Sequence, residues 1–297
     1  MRPNNNNPYL RLHFIVFIYG FTGILGKLIS VDAIQLVWHR MWMAAACILL
    51  YLAFTRKLRF EINRNTGTII LAGVLIAAHW VTFFHAIKIS TVPVALSCVA
   101  TGAFFGSLIE PLMYKRKIRG TEMVMGLMVV VGLYLIFRFE GEYTAGIITA
   151  LISAFLSACF SVVNSKLVQN HTPNRITFLE MLGGWLAISF YLLVTDPGSI
   201  TEWSLKPMDW FYLLILASVC TAYAFIENVA LMRHISAYSF LLAINLEPVY
   251  GILLALIFFE EGRHLDPYFF AGTAIILSTL FINVCLRKRT SKNKVIR

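Results

Sequence analysis

Residues 235–261 read ISAYSFLLAINLEPVYGILLALIFFEE. From Ser236 to Phe259 the stretch is almost wholly apolar. It is longer than the roughly 20 residues that carry a helix across the ~30 Å hydrocarbon core of a bilayer. Its one internal charge, Glu247, is followed directly by Pro248. Proline has no N–H, so the carbonyl of Ile244, four residues back, loses its helical partner. At membrane depth an unpaired carbonyl is tolerated only where protein, water or a ligand meets it. The stretch reads as a membrane helix weakened at its middle, with Asn245 and Glu247 beside the weak point.

The rest of the chain repeats this pattern. Apolar runs fall at 12–29, 34–54, 67–87, 90–114, 120–138, 145–168, 175–195, 209–232, 236–259 and 265–286, ten in all. Of 297 residues 59% are hydrophobic and 13% charged, with a mean hydropathy of +0.74. A soluble domain carries about 45–50% apolar and about 25% charged residues. So few polar side chains cannot cover a water-soluble particle of this size. The composition predicts an all-α integral membrane protein of ten transmembrane helices and excludes soluble enzymes, secreted scaffolds and disordered chains.

The net charge of +10 does not point to nucleic acid, because Lys and Arg sit in short clusters between apolar runs. With the N-terminus inside, nineteen fall on the cytoplasmic side and five on the other, while Arg40 lies within a span. That asymmetry places both termini in the cytoplasm and predicts a multi-pass protein of the plasma (inner) membrane. The five cysteines lie inside apolar runs without CxxC spacing and read as small apolar side chains.

The two halves share a register. Ser90 and Ser236 are 146 residues apart, as are Gly126 and Gly272, with Leu96/Leu242 and Leu108/Leu254 between them. Each half holds an odd number of spans, so the second copy enters from the opposite face. The result is a pair of inverted five-helix repeats, a ground plan of secondary transporters in which substrate binds near midplane between the copies.

With the segment Ile235-Ser236-Ala237, Leu246-Glu247-Pro248 and Phe259-Glu260-Glu261, this layout resembles the drug/metabolite transporters built of two EamA domains. The resemblance covers nearly the whole chain. It implies a first repeat at 11–138, a second at 144–287 and a basic cytoplasmic tail at 288–297. It also implies export of small metabolites such as amino acids or purines, by proton coupling or exchange. The first copy departs from the second: Thr101-Gly102 stands at the Glu247-Pro248 register and Lys115 opposite Glu261, while Glu110-Pro111 lies farther along.

Polar side chains retained in hydrocarbon usually face a bundle interior. One central chamber is expected to be lined by Trp38, His79, Trp80, Phe83 and Thr101 from the first repeat. Tyr223, Glu227, Asn228, Asn245 and Glu247 complete it from the second. Tyr223, Glu227 and Ala230 share a face by i, i+4, i+7 spacing. Arg40 and Glu180 hold similar repeat positions and, with Pro248, are expected to be structural or gating residues, the two charges pairing near the pseudo-two-fold axis. His79 and His85 are six residues apart, on different faces, which argues against a shared metal site. No P-loop, HExxH or GxSxG motif is present. The expected protein is not an enzyme and uses no cofactor or metal. Its partners are a small-molecule substrate, protons, the lipid bilayer and a second copy in a homodimer. The alternatives are a channel, which would favour rings of identical residues, and a membrane-embedded enzyme, for which no catalytic motif is found.

Overall fold

The structure, a computed structural model, describes residues 8–56, 65–115, 117, 120–139, 141–201, 205–259, 266–279 and 282. The cation groups at 57–64, 116 and 119, the Glu260-Glu261 pair and the 288–297 tail lie outside these. The described residues form helices and no strand. In chain order they are α1 (Pro8–Leu28), α2 (Ala33–Phe54), α3 (Thr66–Ile89), α4 (Val92–Val99), α5 (Gly102–Tyr114) and α6 (Gly120–Phe139). A short 3₁₀ turn, Gly141–Tyr143, leads into α7 (Thr144–Asn170), α8 (Pro173–Thr195) and α9 (Gly198–Thr201). Then come α10 (Pro207–Ala217), a π-helical segment Ser218–Tyr223, α11 (Ala224–Leu231), α12 (Ala237–Ile244) and α13 (Leu246–Phe258). A last helix, α14, covers Pro267–Thr279.

Among the described residues seven helices are long and apolar enough to cross a membrane, counting Val92–Tyr114 and Pro207–Leu231 as single spans. Val124–Ile136, Leu246–Phe258 and Pro267–Thr279 are shorter apolar helices. The outer surface is apolar as well. Phe54, Leu112, Phe190 and Ile257 are each more than 70% exposed, a surface suited to lipid rather than water.

Two spans are broken near their middles, and for different local reasons. Between α12 and α13 the chain turns at Asn245, which stands at the N-cap position of α13. Pro248 then sits in the first turn of α13, where its missing N–H leaves no bond unmade. Between α4 and α5 there is no proline at the break. Thr101 turns its hydroxyl onto the Cys98 carbonyl at 2.7 Å, and Gly102 opens the next helix. Pro111 lies inside α5 instead.

Helix α3 is the packing centre, lying against both α7 and α8, while α1 lies on α13 and α2 on α8. The α3–α8 crossing requires glycine. A Cβ at Gly73 would meet the Glu180 carbonyl oxygen at 2.2 Å, and one at Gly184 would meet the Gly73 carbonyl oxygen at 2.7 Å. Such backbone-to-backbone approach is how helices gain contact in a solvent as apolar as themselves. Gly132 of α6 and Gly272 of α14 meet in the same way.

Candidate functional site

A cavity lies where α1, α2, α3, α7, α11 and the α12–α13 break converge. Its volume is about 60 Å³, room for a few waters. One wall is aromatic: Trp80 and Phe83 of α3, Phe160 of α7 and Phe225 of α11, with Trp80 edge-on to Phe225 at 5.8 Å. Arg40 enters from α2. It is 1% exposed, and its guanidinium carbon lies 3.7 Å from the centre of the Trp80 ring. Its Nε donates to the Thr221 hydroxyl at 2.7 Å, while Nη1 has no hydrogen-bond partner.

The acceptor Thr221 owes its place to the π-helical segment. Its hydroxyl donates to the carbonyl of Leu216, five residues back, at 2.6 Å. An inserted π turn leaves main-chain groups to side chains and is common at functional sites. Glu247 lines the same cavity from the first turn of α13. There the partial positive end of the helix favours a carboxylate. Arg40 and Glu247 form no ion pair with each other, and Glu227 of α11 pairs with Arg11 instead. A basic and an acidic side chain thus line one small chamber with no salt bridge between them.

Two further polar side chains of the chamber are fixed by hydrogen bonds. His79 Nδ1 lies 2.9 Å from the Ser153 carbonyl and 2.8 Å from its hydroxyl, which fixes the ring. Asn228 donates to the Tyr19 hydroxyl at 3.2 Å, leaving its own oxygen unpaired. Tyr19 and Thr22 of α1 both line the cavity.

His79, Trp80, Phe83, Asn228 and Glu247 of the sequence-derived set lie around this cavity together with Arg40. The other five do not line it, and each has a physical reason. Tyr223 is 49% exposed on the outer surface, and Glu227 accepts from Arg11. Tyr223, Glu227 and Ala230 do share a face, but it is the outer one; the buried stripe with the same spacing runs Thr221, Phe225, Asn228. Trp38 donates its indole N–H to Ser189 at 2.8 Å. With Trp42 and Trp185 it walls an apolar groove between α2 and α8. Thr101 is fully buried at the α4–α5 break, and Asn245 is buried at the boundary of α12 and α13, where its side chain makes no capping hydrogen bond.

The expected Arg40–Glu180 pair is also absent. Arg40 stacks on Trp80 whereas Glu180 abuts Gly73. Those two positions are two turns apart on α3, a separation of about 10 Å. Tyr19, Thr22, Phe160, Ser161 and Phe225 are lining residues that the sequence reading did not select. The i, i+3 spacing of Tyr19 and Thr22 in an otherwise apolar first span was the available signal.

Two polar clasps close the bundle at opposite ends of α3. At one, Ser30 gives its backbone N–H and hydroxyl to the Asp209 carboxylate at 2.8 and 2.6 Å. Beside it Lys88 Nζ donates to the Ile29 carbonyl at 2.9 Å. At the other, Arg233 donates to the carbonyls of Val168 and His171 at 3.0 and 2.9 Å. The His171 ring lies 2.9 Å from Arg175 Nη1 and 3.1 Å from the Asn65 amide. Burial and the adjacent Arg175 guanidinium hold this imidazole below its ordinary pKa, which keeps a ring nitrogen free to accept.

Comparison with known proteins agrees with this architecture. The sequence profile of the EamA-like transporter family matches residues 9–138 and 144–285. An uncharacterized transporter of Archaeoglobus fulgidus is 27% identical over 154 residues, covering 52% of this chain and 53% of that relative. The chain thus matches about half the length of that relative. The uncharacterized transporter YxxF of Bacillus subtilis is 20% identical over 292 residues, 94% of this chain and 90% of the relative. A solved crystal structure of a protein superposes with a TM-score of 0.68 at 14% identity, covering 94% of this chain and 97% of the other. That last likeness is one of fold.

Proposed function

The chain belongs to the EamA-like transporter family, and from that premise we propose that it is a secondary active transporter exporting small zwitterionic metabolites. Amino acids fit the cavity chemistry better than purines, and transport runs by proton coupling or exchange. The observation that carries this reading is the presence of Arg40 and Glu247, not paired with each other, in one aromatic-walled cavity. A carboxylate on the substrate would take the free Nη1 of Arg40, an ammonium would face Glu247, and the ring wall would cover an apolar side chain. A purine would use the stacking surface but leave the two charges unmatched. At about 60 Å³ the chamber holds no amino acid in this conformation, so substrate entry requires one clasp to open.

The proposed body plan is ten spans in two inverted repeats, 11–138 and 144–287, with both termini cytoplasmic in the plasma (inner) membrane. The clasps support it. Lys88 and Arg233 are 145 residues apart, Asn65 and Asp209 are 144 apart. In each clasp a cation near the end of a repeat's third span binds a carbonyl at the end of a first span. A residue from the start of the other repeat's third span completes it. Inverted repeats place one such set on each face, and alternate opening of the two gives alternating access. Protons, and a second copy of the chain in a homodimer, are the further proposed partners. Reporters placed in the 55–66 and 196–208 loops should report cytoplasmic and external locations respectively, and both on one side would end the inverted-repeat reading.

Function is tested by profiling metabolites in medium from cells overexpressing the chain and from deletion cells. Amino acids should accumulate outside the overexpressing cells by severalfold. A profile dominated by purines or by permanently charged cations would overturn the zwitterion assignment.

A further inference from the structure

One buried carboxylate takes no part in the cavity. Glu180 of α8 is 0% exposed, as are Asn164 of α7 and Thr177, one turn before Glu180 on the same face of α8. The Asn164 side chain adjoins the Glu180 carboxylate but lies outside hydrogen-bonding geometry. Both carboxylate oxygens, both polar atoms of Asn164 and the Thr177 hydroxyl have no hydrogen-bond partner. The large majority of buried side-chain polar atoms have a partner in native proteins, and a lone buried carboxylate in a membrane bundle is among the costliest groups to leave unpaired.

None of the neighbouring elements supplies a compensating charge. On α2, Arg40 is bound to Thr221 and His39 to Trp42. On α3, His79 is held by Ser153. Glu227 of α11 pairs with Arg11, Lys166 of α7 reaches the Met113 carbonyl, and Arg175 of α8 reaches Thr66 and His171. Helix α9 carries no titratable side chain. What the site presents is oxygen without a cation: two carboxylate oxygens, an amide oxygen and a hydroxyl. Ser161, one turn before Asn164 on α7, lines the central cavity, so Asn164 lies one helical turn along α7 from it.

We propose that Glu180, with Asn164 and Thr177, forms a binding site for a small monovalent cation, a proton or a sodium-like ion, separate from the substrate cavity. Hard cations take oxygen ligands of this kind, and a proton on the carboxyl would bridge to the Asn164 oxygen. Occupancy neutralises the carboxylate and ties α7 to α8 one turn from Ser161. The binding claim stands without the transport reading; only its use in driving transport rests on it.

The test is thermal unfolding of the full-length protein in detergent, in two arms. In the first, choline is replaced by sodium at constant ionic strength and fixed pH. In the second, pH is stepped in choline buffer. The parent should unfold about 2–4 °C higher for each tenfold rise in the bound cation above its Kd. The arm showing this rise identifies the ion. Glu180→Gln, whose amide mimics the neutral carboxyl, should lose that dependence. Asn164→Leu should lose it too and carries the test if the first variant does not fold. Glu227→Gln, whose carboxylate lies outside both sites, should retain it. Equal dependence in parent, Glu180→Gln and Asn164→Leu overturns the proposal. So does loss in Glu247→Gln with retention in Glu180→Gln, which would put the cation in the cavity. A failure of zwitterion transport leaves these unfolding results unchanged, so the two readings fail separately.

Discussion

Arg40→Ala should reduce uptake of a zwitterionic substrate into proteoliposomes by about 10- to 100-fold, the loss of roughly 1.5–3 kcal/mol expected of a charge-assisted hydrogen bond. The guanidinium is buried, stacked on Trp80 and free at Nη1, so the site meets a carboxylate with a group already in place. Arg40→Lys should recover little. A lysine ammonium keeps the charge but loses the planar stack and the second donor that reaches Thr221. Because Arg40 also steadies the π-helical segment through Thr221, the decisive comparison is between substrates in one variant. An analogue lacking the carboxylate should be transported equally by parent and Arg40→Ala. Equal loss for both analogues would mean that Arg40 only supports the fold, and the assignment of the carboxylate subsite would fall.

The membrane class was plain in the sequence because it depends on quantities that add along the chain: run length, hydropathy and the side bias of Lys and Arg. The break at Asn245 was legible too, since Pro248 removes a specific N–H. Its counterpart at Thr101 was hidden. There the Cys98 carbonyl accepts both the N–H and the hydroxyl of Thr101, and threonine does this without marking itself in the sequence. Tyr223 and Glu227, expected on the cavity, lie outside its lining. These two and Ala230 do share a face, but Thr221, Phe225 and Asn228 meet the same i, i+4, i+7 spacing, and spacing alone does not tell which of the two stripes is the buried one.

Trp38 shows a second limit. A tryptophan in a span reads alike whether it faces a chamber or a lipid-side groove, and only the partner of its N–H, Ser189, separates the two. Arg11 escaped notice as a partner for Glu227 because it was counted among the charges flanking the first span. The clasps at Asp209 and His171 were invisible for a similar reason. Their residues sit at helix ends, where polar side chains are ordinary, and only pairing across distant loops gives them meaning.

Glu247→Gln should leave the protein folded and abolish the response of transport to an imposed pH gradient. Glu247 sits in the first turn of α13, against a break that already requires polar surroundings, and it faces the same chamber as Arg40. Under the exchange reading a substrate ammonium and a proton compete for this one carboxylate, so export of the first is tied to entry of the second. Glutamine keeps the shape and an accepting oxygen, so substrate affinity should fall by only about tenfold, the difference between a charged and a neutral acceptor. It cannot take up the proton, so the coupled component of transport disappears while slow downhill exchange remains. Glu227→Gln is the control: its carboxylate lies outside the cavity, paired with Arg11, and its loss should leave the pH response intact. The measurement is substrate flux in proteoliposomes with and without a pH step across the membrane. If Glu247→Gln responds to the step as the parent does, the carboxylate is structural and the exchange does not run through it. If Glu227→Gln loses the response instead, the proton path follows the outer face of α11 and not the α13 break.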